Sequence, residues 1–310
     1  MADLPVRADL DQLRHQAKDL LRAAKAGDQR ALARIEPVSD RLVLASAQLA
    51  VAREYGFAGW ARLKTEVQRR AVFDRGDVPR LRAMLAEQPA LATERMEHWC
   101  DHRKGADPLG YLAMLRFDSR RLGLSAELPA IGTMTRALLT AGAPVNGDPD
   151  ASETPLITAA SYGDAEVARI LVDAGADLDA TGPATGGTAL HHAAVFGMTD
   201  VVDVLVAAGA HVDNIAVAAA VGDVTGWLTP DTPLQDRIRA LVMAADHQRL
   251  DVIDQLVAAG TPVDAVDEVW GRQAMRVATE NGRVASVRRL LEHGARPDPP
   301  DAAGPDQVTG

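Results

Sequence analysis

Side chains that could bind a metal or take part in catalysis are densest in one polar run over residues 98–105, which reads H-W-C-D-H-R-K-G. His98, Cys100 and His102 carry metal-binding atoms, and on a strand their alternate positions would share one face. Zinc sites usually draw on two separated pairs of ligands, and the sequence offers no second pair. Three interpretations stay open for the run: contact with a ligand or partner, a solvated turn, or a metal or catalytic site.

Short motifs of the common enzyme classes are absent from the sequence. It contains no G-x-x-x-x-G-K, G-x-S-x-G, H-E-x-x-H or G-x-G-x-x-G. The sequence therefore favours a non-catalytic protein.

The composition limits the compartment and the class of partner. The chain has 310 residues and a net charge of −10, which argues against non-specific binding to nucleic acid or an anionic membrane. Cys100 is the single cysteine, so no internal disulfide is expected and a reducing compartment is favoured. The N-terminus lacks an apolar signal core, and no stretch of about 20 apolar residues occurs. We therefore expect a cytoplasmic protein.

A repeated stretch over residues 154–214 sets the frame for the rest of the chain. Gly163 of the first copy corresponds to Gly197 of the second, 34 positions later. Apolar residues at helical spacing follow each of these glycines. A single helix pair of this kind cannot bury its apolar face, so the pattern predicts stacked pairs.

The two copies begin T-P-L-I-T-A-A and T-A-L-H-H-A-A, and they resemble the T-P-L-H-x-A signature of the ankyrin-repeat family. The resemblance implies an all-α solenoid of helix-turn-helix units with short β-turn fingertips. It also implies recognition of another protein or peptide, without a cofactor and without nucleic acid or membrane as partner.

The same register organises the whole chain. Residues 71–298 divide into about seven units that are irregular at 116–131 and 215–233. Residues 1–70 resemble a helical segment that precedes ankyrin repeats in some bacterial proteins, either a cap on the stack or a separate partner-binding domain. The tail, 299–310, is rich in Pro, Asp and Gly and is predicted to be disordered.

The adjacent pair His191-His192 falls at the signature histidine. His191 matches the structural histidine that ties neighbouring repeats together in this family, and His192 takes a position that is normally apolar. A metal site is the alternative that we disfavour.

In the ankyrin family the concave face is lined by the fingertips and by the residues just before the inter-helix glycine. The resemblance therefore implies a set of partner-binding residues on that face. They are Arg103, Lys104, Tyr162, Phe196, His247, Trp270, Arg272 and Asn281. For Phe196, packing between repeats is the alternative.

An enzyme or a small-molecule binder is the second hypothesis for the function. The surplus residues 116–131 would then close over a pocket beside the 98–104 cluster. An imidazole next to a carboxylate can act as an acid–base pair. The candidate catalytic residues are His98, Asp101, His102 and Tyr111.

Overall fold

The computed structural model describes residues 4–5, 8–96, 106–120, 122–124, 128–182 and 186–297. Within these ranges the chain is helical, with one isolated β-bridge and no longer strand. The helices are α1 (Leu10–Lys25), α2 (Gln29–Ile35), α3 (Leu44–Glu54), α4 (Trp60–Arg75), α5 (Val78–Glu87), a 3-10 turn (Pro89–Ala92), α6 (Pro108–Asp118), α7 (Ile131–Thr140), α8 (Pro155–Tyr162), α9 (Ala165–Asp173), α10 (Ala189–Val195), α11 (Thr199–Ala207), α12 (Ile215–Val221), α13 (Leu234–Asp246), α14 (Leu250–Ala258), α15 (Ala274–Glu280) and α16 (Val284–Glu292).

The helices fall into two compact units. The first unit comprises Met1–Leu156 and Asp173–Ala176, and the second comprises Ile157–Val172 and Asp177–Gly310. The predicted tail 299–310 lies outside the described residues. The predicted boundary at residue 70 stays a prediction, and α4 runs through it without a break.

The core of the first unit is built on the amphipathic helices α1 to α4. Asp9 starts α1 because its carboxylate accepts a hydrogen bond from the Gln12 N–H at 2.8 Å. Leu13, Phe57 and Leu63 are among its buried residues. Residues 10–67 thereby acquire a hydrophobic core of their own.

Arg69 of α4 is a buried polar anchor in the first unit. It is paired with Glu66 at 2.6 Å, and both side chains are 2% exposed. Its guanidinium also donates to the carbonyl oxygens of Glu94 and Arg95. The charge of Arg69 is therefore paired inside the protein, and its bonds tie α4 to the backbone of residues 94–95.

In both units the repeat register determines which side chains form the core. An apolar residue recurs four positions before the residue that closes each unit, which is Gly142, Gly175, Gly209, Gly260 or Gly294, and Gln88 in the first unit. The six residues are Met84, Leu138, Leu171, Leu205, Leu256 and Leu290, and all are buried.

Gln248 takes the place of the inter-helix glycine between α13 and α14. Gly163 and Gly197 have φ values of +76° and +70° at this position, and Gln248 has +55°. Gln248 is the one non-glycine residue with positive φ in the described ranges. The backbone therefore imposes this conformation even where the sequence supplies a side chain that disfavours it.

The irregular stretch 215–233 contains one helix of a pair. α12 is followed by a turn-rich segment, 222–233, and the next helix begins only after Pro233. Proline cannot continue a helix, because its ring removes a hydrogen-bond donor and clashes with the preceding turn. α12 instead packs directly against α13, and α13 packs against α15.

Candidate binding groove

A groove of about 590 Å³ opens on the second unit. Its floor comes from three helices: Val195 of α10, Ile215 and Val217 of α12, and Met243 of α13. Two tryptophans, Trp227 and Trp270, also line it, and we call it the tryptophan groove. Because helices supply the floor, its apolar part is held by packing rather than by loops.

The fingertip between Val266 and Gln273 carries Trp270 into the groove. Its two ends form an antiparallel bridge, and Asp267 fixes the turn from inside. The Asp267 side chain is fully buried, and its carboxylate accepts a hydrogen bond from the backbone N–H of Trp270 at 3.0 Å. Its second oxygen faces the Arg239 guanidinium at 3.1 Å. Asp267 therefore sets the position of both residues.

Arg239 of α13 lies over the face of Trp270. The guanidinium carbon is 5.1 Å from the centre of the ring, within the range of a cation–π interaction. Asp236, one turn earlier, is 3.6 Å from the same guanidinium. The groove is therefore polar at this point, but the positive charge of Arg239 is already balanced by Asp236 and Asp267.

Trp227 lies in the 222–233 segment and also lines the groove. Its carbonyl accepts a hydrogen bond from the Thr232 hydroxyl at 2.9 Å, and the same hydroxyl oxygen accepts the Thr229 N–H at 2.8 Å. The chain is folded back on itself here without a helix. Trp227 is 36% exposed and Trp270 is 40% exposed, so both indole rings can reach an occupant.

The end of the groove nearest α10 contains the signature histidine. His191 Nε2 is 3.0 Å from the Asp213 carboxylate, and its Nδ1 is 2.8 Å from the Thr188 hydroxyl. Thr188 also caps α10 by accepting the His191 N–H. His191 thereby joins the start of α10 to the turn before α12.

Trp270, a predicted partner-binding residue, lines the groove. The two other aromatic candidates, Phe196 and Tyr162, are not among its lining residues. Phe196 is 51% exposed at the end of α10, and its ring centre is 6.0 Å from that of His192. His192 in turn contacts the Ser161 hydroxyl at 2.9 Å. Tyr162, at the end of α8, is partly buried.

Arg272 and Asn281, two further candidates, are held by bonds within the unit. Arg272 donates to the carbonyl of Val195 at 3.0 Å, and Asn281 donates to the Asp246 carboxylate at 2.7 Å. Contact with a partner at either residue would have to compete with these bonds.

His247 is the candidate that lies deepest, at 1% exposed. Its Nε2 is 2.8 Å from the carbonyl of Ala194, and its Nδ1 is 3.0 Å from the Thr199 hydroxyl. Nε2 therefore donates to the carbonyl, and in the neutral ring Nδ1 accepts from the Thr199 hydroxyl. Burial lowers the pKa of His247, against the opposing effects of the Ala194 bond and Asp246. At 1% exposed, His247 offers a partner no surface.

The candidates for the alternative site belong to the first unit. Tyr111 is 1% exposed, and its hydroxyl donates to Asp74 at 2.8 Å. A cavity of about 330 Å³ in this unit is lined by Asp74, Arg75 and also Leu124, which comes from the 116–131 stretch. The catalytic candidates His98, Asp101 and His102 lie outside the described residues, and so do the partner-binding candidates Arg103 and Lys104.

Sequence reasoning missed Trp227, Arg239 and Asp231, three residues of the groove lining. One signal was present in the sequence: a tryptophan stands in a stretch rich in Thr, Pro and Asp, where an apolar residue has no core to join. Arg239 gave no signal, because a helical arginine is ordinarily solvated.

Comparison with known families agrees with the repeat register. Residues 126–216 match a family model described as ankyrin repeats (3 copies). These residues therefore carry ankyrin repeats, and the predicted all-α ankyrin fold is confirmed. No curated protein matches the sequence significantly. In the described residues, no helix is long and apolar enough to cross a bilayer.

Proposed function

We propose that this chain is a non-catalytic binding scaffold whose protein partner docks in the tryptophan groove. Ankyrin repeats generally mediate contacts between proteins, which supports a scaffold. One observation supports the location: two tryptophans, Trp227 and Trp270, line the groove together with apolar residues of three helices and keep over a third of their surface exposed. Tryptophan is enriched among the residues that dominate binding energy at protein interfaces.

The groove also draws on both elements that the family resemblance assigns to the binding face. Trp270 comes from a fingertip, and Val195 precedes Phe196 and the inter-helix residue Gly197. Both positions are held rigidly: Asp267 fixes the fingertip, and α10 carries Val195. A surface organised before binding loses less conformational entropy when a partner docks.

A photo-crosslinking experiment tests this location. A photoreactive amino acid is placed at Trp227, and in a matched control at Val284, which is 65% exposed on α16. Both chains are expressed in the native cell and irradiated, and the adducts are identified by mass spectrometry. We expect a specific protein adduct from position 227 that position 284 does not give. Identical adducts at both positions would contradict the proposed location.

A small-molecule site in the first unit is the second candidate function. Its support is the cavity of about 330 Å³, because Leu124 of the 116–131 stretch lines it together with Arg70 and Asp74. A compound that binds there should raise the melting temperature of the parent but not of Leu124→Trp, in which the larger side chain occupies the space. A shift that survives the substitution would assign the compound to another site.

A further inference from the structure

We infer that the occupant of the tryptophan groove is a basic segment of the partner, with a lysine or arginine directed at Trp227 and Asp231. This inference rests on the proposed function, because it names the chemistry of the partner at the same groove. It follows from the charges around the groove and from the uncovered face of Trp227.

The charged groups of the groove leave a negative excess. The lining contains Asp213, Asp231 and Asp236, while Arg239 is its one lysine or arginine within the described ranges. The charge of Arg239 is balanced by Asp267 at 3.1 Å. An acidic or a purely apolar segment would leave this negative excess uncompensated, whereas a basic one would neutralise part of it.

Asp231 is the carboxylate best placed to receive this cation. Asp213 is engaged by His191 and Asn214, and Asp236 lies 3.6 Å from Arg239. Within the described ranges, Asp231 is exposed and has neither a hydrogen bond nor an ion pair. Its carboxylate can therefore pair with an incoming group without breaking a bond inside the protein.

The two tryptophans show where such a group would lie. Trp270 already carries the guanidinium of Arg239 at 5.1 Å from its ring centre. Trp227 lines the same groove and, in the part of the chain that is described, no cation covers it. A lysine or arginine of the partner would occupy the equivalent place on Trp227, combining a cation–π contact with the charge of Asp231.

Random-peptide phage selection on the full chain provides ligands before the partner is known. A parallel selection on Trp227→Ala separates groove ligands, which need Trp227, from peptides that bind elsewhere. The groove ligands are synthesised, and their dissociation constants are measured at low and physiological salt. Asp231→Asn and Asp231→Arg are compared with Asp251→Asn, an exposed aspartate of α14.

We expect the groove ligands to share a lysine or arginine whose replacement by glutamine weakens binding about tenfold. Asp231→Arg should weaken them at least as much with an unchanged melting curve, and Asp251→Asn should not. Groove ligands without a basic residue, or equal binding to Asp231→Arg, would overturn the inference and leave the proposed function standing. A selection that gives no peptide dependent on Trp227 would overturn both.

Discussion

Gln248 shows how a single residue carries the cost of the repeat geometry. Its φ of +55° is the conformation that glycine adopts at the equivalent turns, and its side chain is exposed. A non-glycine residue in this backbone conformation lowers the free energy of unfolding by on the order of 1–3 kcal/mol. Replacing it with glycine recovers only part of that amount, because glycine has the larger conformational entropy in the unfolded state.

Gln248→Gly should therefore raise the free energy of unfolding by about 0.5–1 kcal/mol. Gln248→Ala is the matched control, since it removes the side chain but keeps the Cβ atom that causes the strain. Thermal melts of the three proteins decide the matter. A glycine variant that melts no higher than the alanine variant would show that this turn is not strained.

His247 predicts a dependence of stability on pH. Burial lowers its pKa in the native protein below the ordinary value of 6.5. Between the two pKa values the unfolded chain binds more protons, so the free energy of unfolding rises with pH. The contribution is present above pH 6.5 and is lost as the pH falls towards the native pKa.

We expect the melting temperature to fall between about pH 7.5 and 5.5, and to fall less in His247→Gln. His211→Gln, a substitution at an exposed histidine, should keep the full dependence. If His247→Gln follows the same curve as the parent, the ring of His247 is not held neutral by burial.

At the scale of elements, the second helix of each pair places a buried apolar residue at the same repeat position. Leu205 of α11 is fully buried, and Leu205→Ala should lower the free energy of unfolding by about 2–5 kcal/mol. Leu291→Ala on α16, where the side chain is 45% exposed, should cost less than about 1 kcal/mol. Chemical denaturation measures both, and a Leu205→Ala curve that overlays the parent would refute the register.

The stretch 215–233 is irregular in the repeat register. The structure divides it into two parts, because Ile215–Ala220 of α12 are buried while most residues of 222–233 are exposed. Easy opening should therefore be confined to 222–233, where few backbone bonds are buried. Amide hydrogen exchange should be fast there and slow in α12. Equally slow exchange in both parts would contradict this prediction.

At the scale of the molecule, the sequence predicted the fold better than the site. The spacing of Gly163 and Gly197 predicted the helix pairs that the structure contains. A repeating core leaves its period in the sequence because every unit must bury the same face. The fold therefore followed from local pattern alone.

The groove does not follow from local pattern. Trp227 lines the groove from a segment that has no second helix, and Arg239 is held beside Trp270 by a buried aspartate 28 positions away. His247 is buried and bonds to the Ala194 carbonyl, 53 positions earlier. The repeat register assigns a residue to a turn, but whether that turn is covered depends on which helices pack against it.

The central claim is that the partner binds through the tryptophan groove. It is tested most directly by the dissociation constant of the crosslinked partner for the parent, Trp227→Ala, Trp270→Ala and the exposed control Val284→Ala. Both tryptophan variants should lose about 1–4 kcal/mol of binding free energy with unchanged melting curves, and the control should lose nothing measurable. If both tryptophan variants bind like the parent while Asp173→Arg on α9 abolishes binding, the partner uses another face and the claim is wrong.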